Sequence, residues 1–310
     1  MVRTRALEDE LKSLSTEKPN TETTSLSKLS TTKILEKIND EDAKIAAKVR
    51  EEIPKIAVAV DCIVSSLRNQ GRLFYAGAGT SGRLAVIDAA ELLPTFGVGG
   101  EAVRAIIAGG KKAMFRPVEG IEDDEIQGRT DLQKSGFSKR DVLLGISASG
   151  RTPFVVSALE YAKNLGAKTI ALTSNTGSRI SKVADIVICP KTGPEVIAGS
   201  TRMKAGTAQK LVLNMISTTT MVRLGKVHGN MMVSLKPVSA KLVERQIRMV
   251  MQVTELSRRK ATEILKETKG DAKIAILIAK SGRSYEDAEK TLKESGGSLD
   301  KAISSKKPDL

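Results

Sequence analysis

The sequence is poor in the residues that build metal, redox and base-stacking sites. It has one His, two Cys and no Trp, so it cannot supply a zinc site made of several His ligands. Cys62 and Cys189 lack C-x-x-C spacing and predict no redox pair. Three Tyr and five Phe are too few for a surface that stacks nucleic-acid bases. We therefore expect no metal cluster or redox pair, and chemistry performed by carboxylates, hydroxyls, Lys, Arg and the backbone.

Long apolar segments are missing as well. No run of about 18 apolar residues occurs, and residues 1–20 lack the apolar core of a signal peptide. We expect no membrane partner and a cytoplasmic location. The net charge of +14 suits either nucleic acid or a small anion, and charge alone does not choose between them.

The apolar segments that are present alternate between strand and helix lengths. Helix-compatible stretches separate five short apolar runs, which predicts an α/β domain whose mostly parallel five-stranded sheet is covered on both faces. An apolar period of three and four residues predicts one lead-in helix over residues 40–67, and a long helix follows the sheet over residues 203–224. The five predicted strands are residues 72–76, 103–107, 142–146, 169–173 and 185–189.

Composition divides the chain into three parts. Residues 1–39 are rich in Ser, Thr, Lys and Glu and form an N-terminal arm. Residues 40–237 hold the α/β domain with its lead-in helix. Residues 238–310 are rich in Lys and Glu and are interrupted by glycines, which predicts a separate small helical bundle whose core includes Ala275 and Ile276.

The first predicted strand runs into the glycine-rich loop Gly77-Ala78-Gly79-Thr80-Ser81-Gly82. This loop fits the dinucleotide fingerprint G-x-G-x-x-G, which also needs an acidic residue at the end of the second strand. That strand is instead followed by Ala108-Gly109-Gly110, so NAD is disfavoured. What the loop offers is Gly79, Thr80 and Ser81, where hydroxyls and backbone N–H groups can meet an anion.

The third predicted strand runs into a similar loop, which contains Ser147, Ser149 and Thr152. Two such loops at the carboxyl ends of strands of one sheet can converge on one ligand. The pair therefore predicts a cradle for a monophosphate. Capping of helices by Ser and Thr is the alternative, and it explains either loop taken alone.

Five segments carry a resemblance to a known family. GAGTSGRL and SASGRTP resemble the phosphate loops of sugar isomerase (SIS) domains, and residues 193–214 resemble the signature shared by N-acetylmuramic acid 6-phosphate etherases and the glucokinase regulatory protein. DAAELLPTFG and VEGIEDD resemble the etherases specifically. The likeness covers residues 15–305 and implies an SIS-type three-layer domain followed by a bundle similar to ubiquitin-associated domains.

The resemblance implies a carbon–oxygen lyase of cell-wall recycling and amino sugar catabolism. Such an enzyme cleaves the D-lactyl ether of N-acetylmuramic acid 6-phosphate and gives N-acetylglucosamine 6-phosphate and D-lactate. By the same resemblance it works without a metal or organic cofactor. Opening of the sugar ring makes the proton on carbon 2 acidic, lactate then leaves carbon 3, and water adds. This route needs a base and an acid, which two carboxylates can supply.

Two glutamates match the family's essential residues. Glu91 has apolar neighbours in sequence, so we expect surroundings that keep a proton on its carboxyl group, and by resemblance it is the acid that protonates departing lactate. Glu122 matches the second essential glutamate, and we assign it as the base. Without the resemblance, a Glu on a helix is ordinarily a solvated surface group.

Other residues keep two interpretations. Arg202 and Lys204 can meet the lactyl carboxylate or the phosphate, or can pair with acidic residues of a neighbouring helix or subunit. By resemblance, an N-terminal pattern closes over the site. His228 lies in a predicted turn and is expected to be structural or solvated. The residues that fit the N-terminal pattern are Thr16, Glu17 and Asn20.

Three rival functions share this type of domain. A non-catalytic sugar-phosphate sensor resembling the glucokinase regulatory protein would carry two SIS domains, whereas this sequence has one such alternation. A sugar-phosphate isomerase would not combine the VEGIEDD and GPEVIAGSTRMKAGT segments. A DNA-binding regulator would need a helix-turn-helix where one long helix is predicted. We therefore expect a small-molecule sugar phosphate as ligand, no nucleic acid, and, from the single SIS domain, a homodimer.

Overall fold

The computed structural model describes residues 14–305. The described residues divide into two compact units, one formed by residues 14–89 and 101–216 and the other by residues 90–100 and 217–305. Across residues 14–305, no helix combines the length and the apolar character needed to cross a membrane.

The first unit contains a five-stranded sheet in which all neighbouring strands are parallel, as predicted. Each strand begins and ends within one residue of its predicted bounds, because buried strands are continuous apolar runs that are easy to delimit. The spatial order is β2-β1-β3-β4-β5. The strands are β1 (Leu73–Gly77), β2 (Val103–Ile107), β3 (Val142–Ile146), β4 (Lys168–Leu172) and β5 (Ile186–Ile188).

Eight helices precede, connect and follow these strands in the described part of the chain. They are α1 (Thr31–Ala43), α2 (Ile45–Arg50), α3 (Ile53–Arg68), α4 (Gly79–Phe96), α5 (Glu125–Lys134), α6 (Pro153–Asn164), α7 (Arg179–Val183) and α8 (Lys204–Arg223).

The region before the sheet differs from the predicted single helix, whereas α8 agrees with the helix predicted over residues 203–224. One helix over residues 40–67 is wrong, because α1, α2 and α3 are separate helices. Pro54 has no backbone N–H to donate to the Arg50 carbonyl, so α2 ends at Arg50 and Pro54 lies in the first turn of α3.

The sheet is the middle layer of three. Phe74 and Tyr75 of β1 are fully buried, and successive side chains of a strand point to opposite faces. Phe74 shares a buried cluster with Phe154 of α6, whereas the Tyr75 hydroxyl donates to Asp88 of α4 at 3.0 Å. Helices therefore cover both faces, which confirms the predicted three-layer fold.

The order of the strands creates a switch point between β1 and β3. The chain moves outward from β1 to β2 and then returns past β1 to β3. Connections on either side of such a point leave the sheet in opposite directions and open a crevice at the carboxyl ends of the strands, where α/β proteins bind ligands.

The second unit ends in the predicted helical bundle. Ala275 and Ile276 are fully buried in its core, as expected. The helices are α9 (Ala240–Thr254), α10 (Arg258–Glu267), α11 (Ala272–Ser281), α12 (Tyr285–Glu294) and α13 (Leu299–Ser304). Each begins after a Ser or Asp whose side-chain oxygen accepts a backbone N–H of the first turn, a strong start signal. These capping residues are Ser239, Ser257, Asp271, Ser284 and Ser298.

Candidate active site

Three hydroxyl groups of the loop after β3 form one cluster. Ser147 Oγ lies 2.8 Å from Thr152 Oγ1 and 3.3 Å from Ser149 Oγ. Ser147 is buried, whereas Ser149 and Thr152 are partly exposed. The loop also directs the N-terminus of α6 at this cluster, with Pro153 in the first turn. Hydroxyls and a helix N-terminus together suit a phosphate dianion.

The loop after β1 contains the other predicted hydroxyls, Thr80 and Ser81, at the start of α4. Gly79 has φ of +52°, a conformation that favours glycine at this sharp turn. A Cβ atom on Gly82 would lie 2.6 Å from Ile107 Cγ1 and 2.7 Å from the Gly77 carbonyl oxygen. Glycine at position 82 is therefore required for α4 to start so close to the sheet.

The two loops leave neighbouring strands at the same edge. Gly77, the last residue of β1, pairs in register with Ile146, the last residue of β3. Neighbouring strands lie about 4.8 Å apart, so the two loops begin side by side across the switch point. The loops that carry Thr80, Ser81 and the Ser147 cluster thus leave the sheet at the switch point, where the sequence predicts the cradle.

The segment after β5 crosses the carboxyl edge of the sheet. It leaves β5, the strand at one edge, and ends in α8, where a Cβ on Gly206 would lie 3.6 Å from Thr80 Cγ2. Thr80 belongs to the loop of β1, three strands away. We call residues 189–203 the crossing segment, and it contains much of the signature that the sequence shares with the etherases.

Buried carboxylates hold both ends of the crossing segment. Glu52 accepts the backbone N–H of Cys189 at 3.0 Å, and Glu195 accepts the backbone N–H groups of Lys204 and Ala205 at 2.9 Å each. Glu195 is fully buried, and this burial raises its pKa although both N–H groups favour the ionised form. The N-terminus of α8 is therefore already occupied by a carboxylate.

Lys204 is part of an ion pair inside the first unit. Its ammonium group pairs with the carboxylate of Glu41 on α1 and donates to the Pro194 carbonyl oxygen at 2.9 Å. The Lys204 and Glu41 side chains are only 4% and 5% exposed. Of the two interpretations from sequence, the structure supports pairing with a neighbouring helix for Lys204.

The N-terminal arm is fastened to the same edge. Ser15 donates through its backbone N–H and its hydroxyl to Asn175 Oδ1 at 2.8 and 2.9 Å, and Asn175 Nδ2 donates to Thr16 Oγ1 at 3.0 Å.

The arm is also attached to α1 and to the crossing segment. Asn20 donates to Glu41 at 3.0 Å, and the Thr23 hydroxyl donates to the Val196 carbonyl at 2.9 Å. Thr16 and Asn20 thus have structural partners, whereas Glu17 is partly exposed beside Gly199.

Glu91 and Glu122 are both exposed to solvent. Glu91 lies on α4, and Glu122 lies in the short turn that precedes α5. The burial expected for the Glu91 carboxyl group is therefore absent in the single chain, since its buried neighbour Leu92 points away from it around the helix. The Leu and Ala residues next to Glu91 in sequence indicate how α4 packs, and they do not indicate what surrounds the Glu91 carboxyl group.

Sequence reasoning missed a buried network beneath α4. Asp88 accepts hydrogen bonds from the Tyr75 hydroxyl at 3.0 Å and from Asn214 Nδ2 at 2.7 Å. Burial, reinforced by the Asp88 carboxylate, raises the pKa of Tyr75 well above its usual value. The sequence offered one indication of this network, since Asp88 stands among apolar residues of a predicted helix. The network fixes α4 against both β1 and α8.

Two remaining expectations concern His and metals. His228 Nδ1 lies 2.5 Å from Asp300 Oδ1, a contact between a turn and α13 that agrees with a structural role. Within residues 14–305, no group of three His, Cys, Asp or Glu side chains is arranged to hold a metal ion.

Comparison with known proteins places the chain in a family. The family model "Glucokinase regulatory protein N-terminal SIS domain" matches residues 55–163, and the model "SIS domain" matches residues 117–219. The N-acetylmuramic acid 6-phosphate etherase of Clostridium botulinum strain Langeland is 51% identical over 94% of this chain and 97% of its own length. N-acetylmuramic acid 6-phosphate etherase 2 of Vibrio cholerae serotype O1 is 49% identical over 94% and 95%.

The chain belongs to the N-acetylmuramic acid 6-phosphate etherase family. Among solved structures, a phosphoheptose isomerase from Francisella tularensis is 24% identical, covers 59% of this chain and 98% of its own, and has a TM-score of 0.46. A phosphoheptose isomerase from Neisseria gonorrhoeae is 21% identical, covers 60% and 98%, and also has a TM-score of 0.46. The predicted etherase family, and with it an enzyme of the carbon–oxygen lyase class, is confirmed.

Proposed function

We propose that this protein cleaves the D-lactyl ether of N-acetylmuramic acid 6-phosphate to give N-acetylglucosamine 6-phosphate and D-lactate. The observation that carries the proposal is the hydroxyl cluster at the switch point of a chain that is 49–51% identical to etherases over nearly its whole length. Because the substrate is a charged sugar phosphate that cannot cross a bilayer unaided, we place the enzyme in the cytoplasm.

The phosphate group of the substrate occupies the crevice between the first two loops. Thr80, Ser81, Ser149 and Thr152 supply hydroxyl donors, and the N-termini of α4 and α6 supply backbone N–H groups. Ser147 is buried and holds the hydroxyls of Ser149 and Thr152 in place. These donors are uncharged, so binding of the phosphate by them does not depend on the net positive charge of the protein.

The reaction proceeds by elimination and hydration on the open-chain sugar. A carboxylate, assigned to Glu122, removes the proton from carbon 2, and the electron pair forms the carbon 2–carbon 3 double bond as the carbon 3–oxygen bond breaks. A carboxylic acid, assigned to Glu91, protonates the departing lactate oxygen. Water then adds its oxygen to carbon 3 and a proton to carbon 2, which leaves N-acetylglucosamine 6-phosphate.

The enzyme acts as a homodimer in which Glu91 serves the crevice of the second copy. Ten residues separate Ser81 from Glu91 on α4, a rise of about 15 Å, far more than the distance from the phosphate to carbon 3 of one hexose. Glu91 is exposed in the single chain, and Ile87 and Leu93 near it are 54% and 41% exposed. A second copy that covers this apolar surface would also desolvate Glu91.

Release of D-lactate tests the proposal. Purified protein is incubated with N-acetylmuramic acid 6-phosphate, with unphosphorylated N-acetylmuramic acid as control, and lactate is followed with D-lactate dehydrogenase. We expect lactate from the phosphorylated substrate only. Replacing Ser149 with Ala should raise KM by about tenfold with little change in kcat, since one charge-assisted hydrogen bond to the phosphate is lost. Ser157→Ala, farther along α6, is the matched control. Absence of lactate from both sugars overturns the proposal.

A further inference from the structure

The proposed substrate carries a second anion, the carboxylate of its lactyl group. The first loops bind the phosphate with neutral donors, so they leave this carboxylate without a partner. A carboxylate is best recognised by a cation, and Arg does so through two parallel N–H···O bonds. The residue that supplies this cation can be inferred from the charges at the same edge of the sheet, an inference that rests on the proposed function.

Lys204 does not supply it. Its ammonium group is buried against the Glu41 carboxylate and the Pro194 carbonyl oxygen. Moving it to a substrate would leave Glu41 buried without its main partner, which is strongly unfavourable. The N-terminus of α8 is also closed, because the Glu195 carboxylate accepts the N–H groups of Lys204 and Ala205.

Arg202 lies at the end of the crossing segment that faces the phosphate loops. The Thr201 carbonyl oxygen is 3.8 Å from the position of a Cβ on Gly206, and that position is 3.6 Å from Thr80 Cγ2. Arg202 therefore belongs to the turn that abuts the first loop. Its side chain is exposed, and within residues 14–305 it makes no hydrogen bond or ion pair.

Two other cations of this edge are less suitable. Lys191 is exposed and likewise has no partner within the described residues, but it closely follows β5, the edge strand two positions from β3. Strand spacing puts the carboxyl end of β5 about 10 Å from that of β3. Arg83 is attached to another loop, since its Nε donates to the Ala113 carbonyl at 2.9 Å.

We propose that Arg202 binds the lactyl carboxylate and thereby gives the site its preference for 3-O-lactyl sugar phosphates over plain sugar phosphates. The buried contacts of Glu195 and Lys204 hold the backbone on the C-terminal side of Arg202, so the base of its side chain is fixed next to the first loop. This rigidity lowers the entropy lost when the carboxylate binds.

Binding of uncleavable ligands tests the assignment. N-acetylmuramitol 6-phosphate has an alcohol instead of an aldehyde at carbon 1, so its carbon 2 proton is not acidic and lactate cannot leave. Calorimetry compares it with its lactamide, in which a neutral amide replaces the carboxylate. We expect wild-type protein to bind the acid about ten- to a hundredfold more tightly than the amide, and Arg202→Gln to bind both equally. Arg202→Lys should keep part of the preference.

Lys191→Gln is the matched control and should keep the full preference. Unchanged affinity of Arg202→Gln for the lactamide will show that the variant is folded and still binds phosphate. Equal binding of acid and amide by wild-type protein, or a preference that survives in Arg202→Gln, overturns the assignment. If the preference depends on Arg202 but N-acetylmuramic acid 6-phosphate yields no lactate, the carboxylate site stands and the proposed reaction fails.

Discussion

At the scale of single residues, the pair formed by Lys204 and Glu41 joins three parts of the chain. Lys204 begins α8, Glu41 lies near the end of α1, and Asn20 of the arm donates to the same carboxylate at 3.0 Å. Burial opposes ionisation of Glu41, but hydrogen bonds from Lys204 and Lys44 outweigh it and hold its pKa at about 2. The charged form is thus stabilised by the fold.

This pair should make the protein sensitive to acid. The folded pKa of Glu41 is about 2 and its ordinary value is 4.5, so the ionised carboxylate stabilises the fold fully above pH 4.5. That contribution is lost as pH falls from 4.5 towards 2. Thermal unfolding followed by circular dichroism should show a steeper loss of Tm over this range in wild-type protein than in Glu41→Gln.

The same variant should be less stable at neutral pH. Glu41→Gln leaves the Lys204 ammonium buried without a counter-ion, which we expect to lower the free energy of unfolding by about 3–5 kcal/mol. The control is Glu36→Gln, which removes the exposed ion pair of Glu36 with Lys33 and should cost less than about 1 kcal/mol. Equal pH profiles for Glu41→Gln and wild-type protein would contradict the assigned role of the pair.

At the scale of elements, the position of α4 depends on glycines at its start. Gly82 packs against β1 and β2 so closely that any Cβ would overlap Ile107 and the Gly77 carbonyl. The start of α4 therefore lies directly on the sheet, with its first N–H groups at the crevice. A helix displaced outward would move Thr80 and Ser81 with it.

Gly82→Ala should disturb both stability and phosphate binding. We expect the overlap to lower the free energy of unfolding by about 1–3 kcal/mol, measured by urea denaturation. Gly206→Ala is the matched control, because it also adds a Cβ to a helical glycine near the crevice but meets only ordinary contacts. That variant should be neutral or more stable by about 0.5–1 kcal/mol. Equal effects of the two changes would show that close packing of α4 is not what requires Gly82.

At the scale of the whole molecule, the proposed dimer predicts complementation between inactive variants. Glu91→Gln keeps an intact cradle but lacks the acid, whereas a Ser147→Ala/Ser149→Ala/Thr152→Ala variant keeps Glu91 but lacks the cradle. In a mixed dimer, the cradle of the first variant meets the intact Glu91 of the second. Co-expression in equal amounts should restore lactate release to about a quarter of the wild-type rate.

Complementation is not expected if each active site is built from a single chain. If Glu91 serves the cradle of its own chain, each site in the mixed dimer carries one defect, and activity stays at the level of the separate variants. Sedimentation of the mixture provides the control, because dimers must form for either result to count. A monomer with full activity would rule out the dimeric site.

Much of the fold was predictable because its signals are local. Five buried strands and the cluster of hydroxyls in two loops could be read from short windows of sequence. The break between α2 and α3 was missed, because periodicity continued across Pro54 although the hydrogen bonding of the backbone did not. Asp88 and Asn175 were missed because their partners lie 13 to 160 residues away in sequence.

By itself the sequence determined the strands, the hydroxyl loops and the likeness to the etherases, since each resides in contiguous residues. Only the tertiary structure decided which cation of Arg202 and Lys204 is buried, because the partner of Lys204 lies 163 residues away on α1. It also showed that Glu91 is exposed, although its neighbours in sequence are apolar. A helix buries one face and exposes another, so the surroundings of a side chain depend on what packs against that face.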